Sequence, residues 1–311
     1  MESATTTPVP KRTWRNRLGR LLALTGFGIV AWLIVSYLAV RQLTRRVASI
    51  REEPVPSIAW GKIEPLRLTS KDGQELGAWY FEGRADRPLV LILHGNGGNR
   101  SICLPEAEYI AKTGSPVLMI SFRAHGDSTG ELNDFGYGGR HDVIAAVEWL
   151  HERHPGRPVV IWGRSMGSAA ALFAAGDLGD QVSGFILECP YQDLHIATRN
   201  RTRRVLPPGL EYVAYAGLST VAPLVLPHTD DISPLKAAAN VSKSARVLVM
   251  AGGADNRATP EEARAIANAI GENAELVVVD QAGHMGVRFV DPETFQRTVF
   301  GLLDQCSPPK K

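Results

Sequence analysis

Gly163-Arg164-Ser165-Met166-Gly167 follows the apolar run Pro158 to Trp162 and precedes the small-residue run Ser168 to Ala175. An apolar strand, a Gly-x-Ser-x-Gly turn and an Ala-rich helix predict a strand-turn-helix elbow that lifts Ser165 off the carboxyl edge of a sheet. So sharp a turn leaves no room for a side chain on either side of the serine, hence the two glycines. The same five residues also arise by chance in chains rich in Gly and Ser, so their reading rests on what surrounds them.

Outward from the elbow, Leu89 to Leu93, Pro116 to Phe122, Val159 to Trp162, Phe185 to Leu187, Val247 to Met250 and Leu276 to Val279 are compact apolar runs. Strands without polar alternation are buried on both faces, as in a parallel sheet covered by helices. Between them, Arg140 to His151 carries Val143, Ile144, Val147 and Leu150 at helical spacing, and Pro260 to Ile270 opens with proline and two glutamates. Ile63 to Leu68 and Leu76 to Phe81 flank Lys71-Asp72-Gly73 and predict an antiparallel hairpin. The pattern is α/β, a mostly parallel twisted sheet with helices on both faces, over residues 61–306. Residues 191–234 interrupt it with Arg199, Arg201, Arg203 and Arg204, then Pro207-Pro208-Gly209, then an apolar segment to Leu226. Such an insertion is either a short cap over the site or an ordinary packed connection. Accordingly Leu218, Val221, Leu224, Val225 and Leu226 either line an acyl channel to Ser165 or pack on the core.

The chain has 311 residues, 44% of them hydrophobic, enough for one large core. With 34 basic against 32 acidic residues the net charge is +2, which argues against nucleic acid as a partner. Cys103, Cys189 and Cys306 show no metal-site or disulfide spacing. Residues 1–17 read as a disordered basic tail. Residues 18–40 read as a transmembrane helix, because Leu21 to Val40 carries no charge and about 20 helical residues span the roughly 30 Å hydrocarbon core. A cleaved signal peptide and a buried core helix are the rival readings. The slightly larger basic cluster on the N-terminal side favours an inside N-terminus and a domain outside the cytoplasm. Residues 41–60, broken by Pro54 and Pro56, read as a linker.

A serine hydroxyl needs a base, and the base an orienting acid. Asp255, in Gly252-Gly253-Ala254-Asp255, and His284, in Ala282-Gly283-His284-Met285-Gly286, each follow a strand, in the chain order Ser, Asp, His. Glu188 and Asp193 are rival acids. His94-Gly95-Asn96-Gly97-Gly98-Asn99 follows another strand, where an oxyanion hole is expected from the backbone amides of Asn96 and Met166. His94 is expected to brace that turn.

These segments, with Arg123-Ala124-His125-Gly126-Asp127-Ser128, resemble the α/β-hydrolase superfamily over roughly residues 63–303, and within it the serine-aminopeptidase-like branch that includes membrane-anchored α/β-hydrolase-domain proteins. In that branch the second segment commonly reads Arg-Gly-x-Gly-x-Ser, with Ala124 here in place of the first glycine. The resemblance implies serine-dependent hydrolysis without a metal or organic cofactor, and no catalytic part for His125. It does not imply a substrate. The resulting expectation is a membrane-anchored serine hydrolase of carboxylic esters or thioesters, with small-molecule ester or acyl substrates and the bilayer as partners. A serine peptidase of the same fold and a catalytically silent binding protein are the alternatives.

Overall fold

The computed structural model describes residues 12–47 and 52–308. Helix α1, Arg12–Thr44, has 33 residues, a length of about 50 Å. It extends the expected membrane span at both ends: residues 12–17, assigned to the tail, and residues 41–44, assigned to the linker, are helical. No proline falls between Arg12 and Thr44 to break the helix, and Pro54 comes too late to end it. Residues 1–11 of the expected tail and 48–51 of the linker lie outside the described residues.

Leu21, Leu22, Leu24, Phe27 and Val30 stand exposed around α1. Among the described residues it is the one helix long and apolar enough to cross a membrane. Its C-terminal part packs on the body: Ser36, Val40 and Thr44, four apart, are buried on one stripe. Beyond Thr44 the backbone is docked on the body rather than hanging as a free linker. Arg46 N donates to Glu131 O at 2.8 Å and Val47 N to Ala124 O at 3.1 Å. Further on, Glu53 lies 3.4 Å from Arg100 Nη1 and accepts from Ser121 Oγ at 2.8 Å.

The sheet has eight strands: β1 Ile63–Thr69, β2 Glu75–Phe81, β3 Leu89–Leu93, β4 Val117–Ile120, β5 Val159–Arg164, β6 Gly184–Glu188, β7 Arg246–Gly252 and β8 Ala274–Val279. Their order is β1-β2-β4-β3-β5-β6-β7-β8. β1 pairs antiparallel with β2 and β2 with β4, and every later pairing is parallel. The helices are α2 Leu104–Ala111, α3 Gly139–Arg153, α4 Met166–Leu178, α5 Leu194–Val205, α6 Leu210–Val221, α7 Pro234–Ala238, α8 Pro260–Ile270, α9 Val287–Val290 and α10 Pro292–Gln305.

Alternation within a strand explains the continuous apolar runs. Leu89, Leu91 and Leu93 enter the core shared with α3, α4 and α8, whereas Val90 and Ile92 enter the one shared with α2 and α10. From β3 the chain passes to β4 on one side and then to β5 on the other. The reversal opens a crevice at the carboxyl ends of β3 and β5, where a ligand can enter an open sheet.

Candidate active site

Ser165 sits in that crevice with φ 51° and ψ −109°, a conformation an L-residue adopts only where its surroundings enforce it. Its amide donates to Glu188 O at 2.8 Å, which pins the turn to β6. A Cβ on Gly163 would stand 2.5 Å from the Gly167 backbone, and one on Gly167 would stand 2.5 Å from Leu93 O. Both glycines are therefore sterically required, as the elbow reading expects.

His284 Nε2 lies 3.1 Å from Ser165 Oγ, and His284 Nδ1 lies 2.7 Å from Asp255 Oδ2. The other carboxylate oxygen, Oδ1, accepts from Arg257 N at 2.8 Å and Ala258 N at 3.2 Å. Burial by itself raises the Asp255 carboxyl, but the His284 hydrogen bond and these amides outweigh it and leave the carboxyl below its usual range. An ionised Asp255 fixes the proton on Nδ1, so Nε2 is free to accept from the Ser165 hydroxyl. The rival acids are engaged elsewhere. Glu188 faces Arg164 Nε at 3.4 Å, and burial raises its carboxyl. Asp193 caps α5 by accepting from Ile196 N at 2.8 Å.

The other expected positions lie around Ser165. Met166 opens α4, so its N–H is the first of the helix-terminal donors that no intrahelical carbonyl can reach. Gly98 N donates to Gly95 O at 3.1 Å and closes a turn with Asn96 at its second position, which leaves the Asn96 N–H outside the turn's own hydrogen bond. A Cβ on Gly95 would stand 3.6 Å from that of Ser165. His94 braces this loop: Phe122 N donates to its Nε2 at 3.0 Å, so the proton on Nδ1 goes to Gly95 O at 2.8 Å. Burial, then His125, pulls the His94 pKa to about 3, so the ring is neutral. His125 Nε2 accepts from Gly97 N at 3.4 Å and also supports the loop. Ala124 takes φ 58°, the left-handed conformation for which its glycine counterpart is suited.

Ser165 and His284 open into a cavity of about 730 Å³. α5, Leu206 just after it and α6 form one side of it, the helices through Leu194, Val205, Leu210, Val213 and Leu218. The apolar residues that the sequence left open divide among the core, the surface and this cavity. Leu218 lines it, but Leu226 is buried with Tyr191 and Ile232 in a satellite core, and Leu224 is exposed. The helix that faces the site ends at Val221, and neither Leu224 nor Leu226 reaches the cavity wall. The arginines divide likewise: Arg201 and Arg204 line the cavity, together with Arg257, while Arg199 and Arg203 do not. None of the three lining guanidinium groups forms an ion pair among the described residues. Desolvation first, then Arg257, with a further part from Arg204, lowers the Arg201 pKa from the usual arginine value.

Sequence reasoning missed three contributors. Arg257 lies in a loop with no charge pattern, and Asn133 reaches Asn96 Oδ1 at 2.7 Å from a turn far away in sequence. The third is α1 itself, whose Trp32, Val35, Ser36, Ala39 and Leu43 complete the cavity. As to metals, Cys189, Asp255 and His284 offer ligand atoms within 4.8 Å of one another. Burial pushes the Cys189 thiol far above its ordinary range, disfavouring the thiolate a metal needs, and the other two already bond each other.

A family model described as the alpha/beta hydrolase fold matches residues 88–229, and one described as TAP-like protein matches residues 225–311. Protein ABHD12B of Homo sapiens is 30% identical over 158 residues, 49% of this chain and 43% of that protein. Lysophosphatidylserine lipase ABHD12 of Rattus norvegicus is 28% identical over 149 residues, 46% of this chain and 37% of that protein. The matches thus span less than half the length of these relatives. An uncharacterized protein of Mycobacterium tuberculosis is 28% identical over 228 residues, 72% of this chain and 73% of that protein. Among solved structures, an esterase of Pyrococcus furiosus superposes with a TM-score of 0.67 at 23% identity, covering 83% of this chain and 98% of the esterase, a likeness of fold. The matched models, the relatives and the sheet order place this chain in the α/β-hydrolase superfamily.

Proposed function

We propose that the chain is a membrane-anchored serine hydrolase that cleaves carboxylic esters or thioesters of lipid-like substrates through an acyl-enzyme. The observation that carries this reading is the line Ser165 Oγ, His284, Asp255, at 3.1 and 2.7 Å, on the floor of a largely apolar cavity. Ser165 Oγ attacks the carbonyl carbon while its proton passes to His284 Nε2, and Asp255 stabilises the imidazolium. The carbonyl oxygen gains negative charge and is held by the Met166 and Asn96 amides. As the tetrahedral centre collapses, the bond to the leaving alcohol or thiol breaks and that group takes the proton from His284. Water, deprotonated by His284, then attacks the acyl-serine and releases the acid and the free Ser165 hydroxyl.

The lining supports an amphiphile. Apolar side chains from α1, α5 and α6 suit an acyl chain, and Arg201, Arg204 and Arg257 suit an anionic group on the alcohol side. A lysophosphatidylserine lipase among the relatives fits that chemistry. α1 supplies the anchor, and its N-terminal basic cluster favours placing the domain outside the cytoplasm.

A fluorophosphonate probe, applied to the detergent-solubilised full chain alongside a panel of oxygen esters and thioesters, tests this reading. Wild type takes the adduct at Ser165, and Ser165→Ala loses turnover by about 10⁴-fold or more. Folded wild type without an adduct is a silent binding protein, and amide cleavage without ester cleavage makes it a peptidase.

A further inference from the structure

The charge-free run Leu21 to Val40 and the stretch of α1 that packs on the body overlap from Trp32 to Val40. With the run in hydrocarbon, the overlap carries whatever packs on it down to leaflet depth. α6 packs there. Trp32 Nε1 donates to Val213 O at 3.2 Å. A Cβ on Gly217 would collide with Ser36 Oγ and stand 2.9 Å from the Trp32 ring, so only glycine lets the two helices approach this closely.

The cavity lies beside this contact. On the α1 side it is walled by Trp32, Val35, Ser36, Ala39 and Leu43, and it continues to Ser165 and His284. Its rim is apolar as well: Val205, Leu210 and Val213 are 70%, 52% and 50% exposed. Beside water such a rim is unfavourable by about 25 cal/mol per Å² of apolar surface, whereas beside lipid tails that term vanishes. The wall is also held in register. Asn133 N donates to Thr44 O at 2.7 Å, and Arg46 donates to Gly126 O at 2.6 Å and Gly130 O at 2.9 Å, so α1 is fixed to the loops around Ser165.

We propose that α1 is a wall of the substrate site as well as an anchor, and that an acyl chain passes sideways out of the bilayer through the cavity that α1 and α6 wall beside their contact to reach Ser165. The inference rests on the serine-hydrolase reading and adds that chain-length selection resides in the membrane helix. Ala39, the smallest side chain on the α1 wall, is where added bulk shortens the groove most directly.

Two measurements on the full chain, reconstituted in vesicles of equal parts phosphatidylcholine and phosphatidylglycerol, test it. In Ala39→Trp the ratio of kcat/KM for a palmitoyl over a butyryl p-nitrophenyl ester falls about tenfold or more, the scale of a changed hydrophobic pocket. Leu24→Trp, on the exposed apolar face of α1 away from the cavity, leaves that ratio at the wild-type value. Independently of any variant, a phosphatidylglycerol bearing a diazirine at its acyl terminus crosslinks wild type within residues 32–43 and 210–218. Excess palmitic acid competes that crosslink away. An unchanged ratio in an Ala39→Trp protein that still takes the fluorophosphonate at Ser165 overturns the inference. Crosslinks confined to residues 14–31 of α1 do the same. Loss of the Ser165 adduct from wild type strikes the hydrolase reading instead, and the competed crosslink still decides whether the groove takes an acyl chain.

Discussion

Asn133 Nδ2 donates to Asn96 Oδ1 at 2.7 Å, while the Asn133 amide donates to Thr44 O, also at 2.7 Å. One buried residue thereby joins the end of α1 to the loop whose amide we assign to the oxyanion hole. Asn133→Ala keeps the backbone bond to α1 and removes the side-chain brace, together with the bond that Asn133 Oδ1 accepts from Phe135 N at 3.2 Å. The expected result is a kcat about ten- to a hundredfold lower, with KM within about twofold, because a displaced donor matters only as charge develops. Steady-state kinetics on a butyryl ester measure it. A raised KM with an unchanged kcat would assign Asn133 to substrate binding.

The two buried acids near the site make separable predictions. Asp255→Asn leaves His284 with the wrong tautomer and an unbalanced imidazolium, and its kcat should fall about 10⁴-fold. Glu188→Gln removes one of the two carboxylates around Arg164, the other being Glu106 at 3.0 Å. Its effect is expected on thermal stability, with kcat within about tenfold. The reverse pattern would move the orienting role to the end of β6.

How much was legible depended on the range of the interaction. The elbow, the strands and the Ser, Asp, His order are local patterns, since glycine placement and apolar runs obey rules that act within a few residues. The hairpin was legible for the same reason, Gly73 taking the φ of 83° that its turn requires. The cavity wall was not. Trp32 meets Val213 across 181 positions, and nothing in the polar or apolar spacing of α1 distinguishes its exposed faces from the one that meets α6. An all-round apolar helix hides its packing stripe, because lipid-facing and protein-facing positions carry the same residue types. Leu224 and Leu226 stay off the cavity wall for a related reason: the apolar run continues past Val221, but the helix that faces the cavity does not.

His94 makes stability depend on pH. Its pKa lies at about 3 in the fold, against 6.5 ordinarily, with burial the main cause. Between these values the unfolded chain binds a proton that the folded one refuses. The contribution is therefore fully present above pH 6.5 and is lost as pH falls towards 3, by at most about 1.4 kcal/mol per pH unit. His94→Asn should be less stable at neutral pH, by about 1–3 kcal/mol for the lost hydrogen bonds. It should also show a shallower decline in unfolding free energy between pH 6 and 4. Parallel wild-type and variant slopes would mean that His94 protonates in the fold.

The guanidinium groups of Arg201, Arg204 and Arg257 share one cavity with Ser165 and form no ion pair among the described residues, and desolvation together with repulsion from Arg257 and Arg204 lowers the Arg201 pKa. A bound phosphate or carboxylate would relieve that repulsion, and each charge-assisted hydrogen bond to it would be worth about 1.5–3 kcal/mol. Arg257→Gln is a clean probe, because the bond from residue 257 to Asp255 Oδ1 comes from its amide and survives the substitution. In Arg201→Gln/Arg257→Gln, kcat/KM for a lysophospholipid with an anionic head group should fall at least tenfold relative to the neutral monoacylglycerol of the same chain. The loss should appear in KM and shrink as salt screens the charges, since the Debye length is about 10 Å at 0.1 M and about 3 Å at 1 M. Equal losses on both substrates at every salt concentration would show that the arginines support the fold of α5 rather than the alcohol side of the substrate.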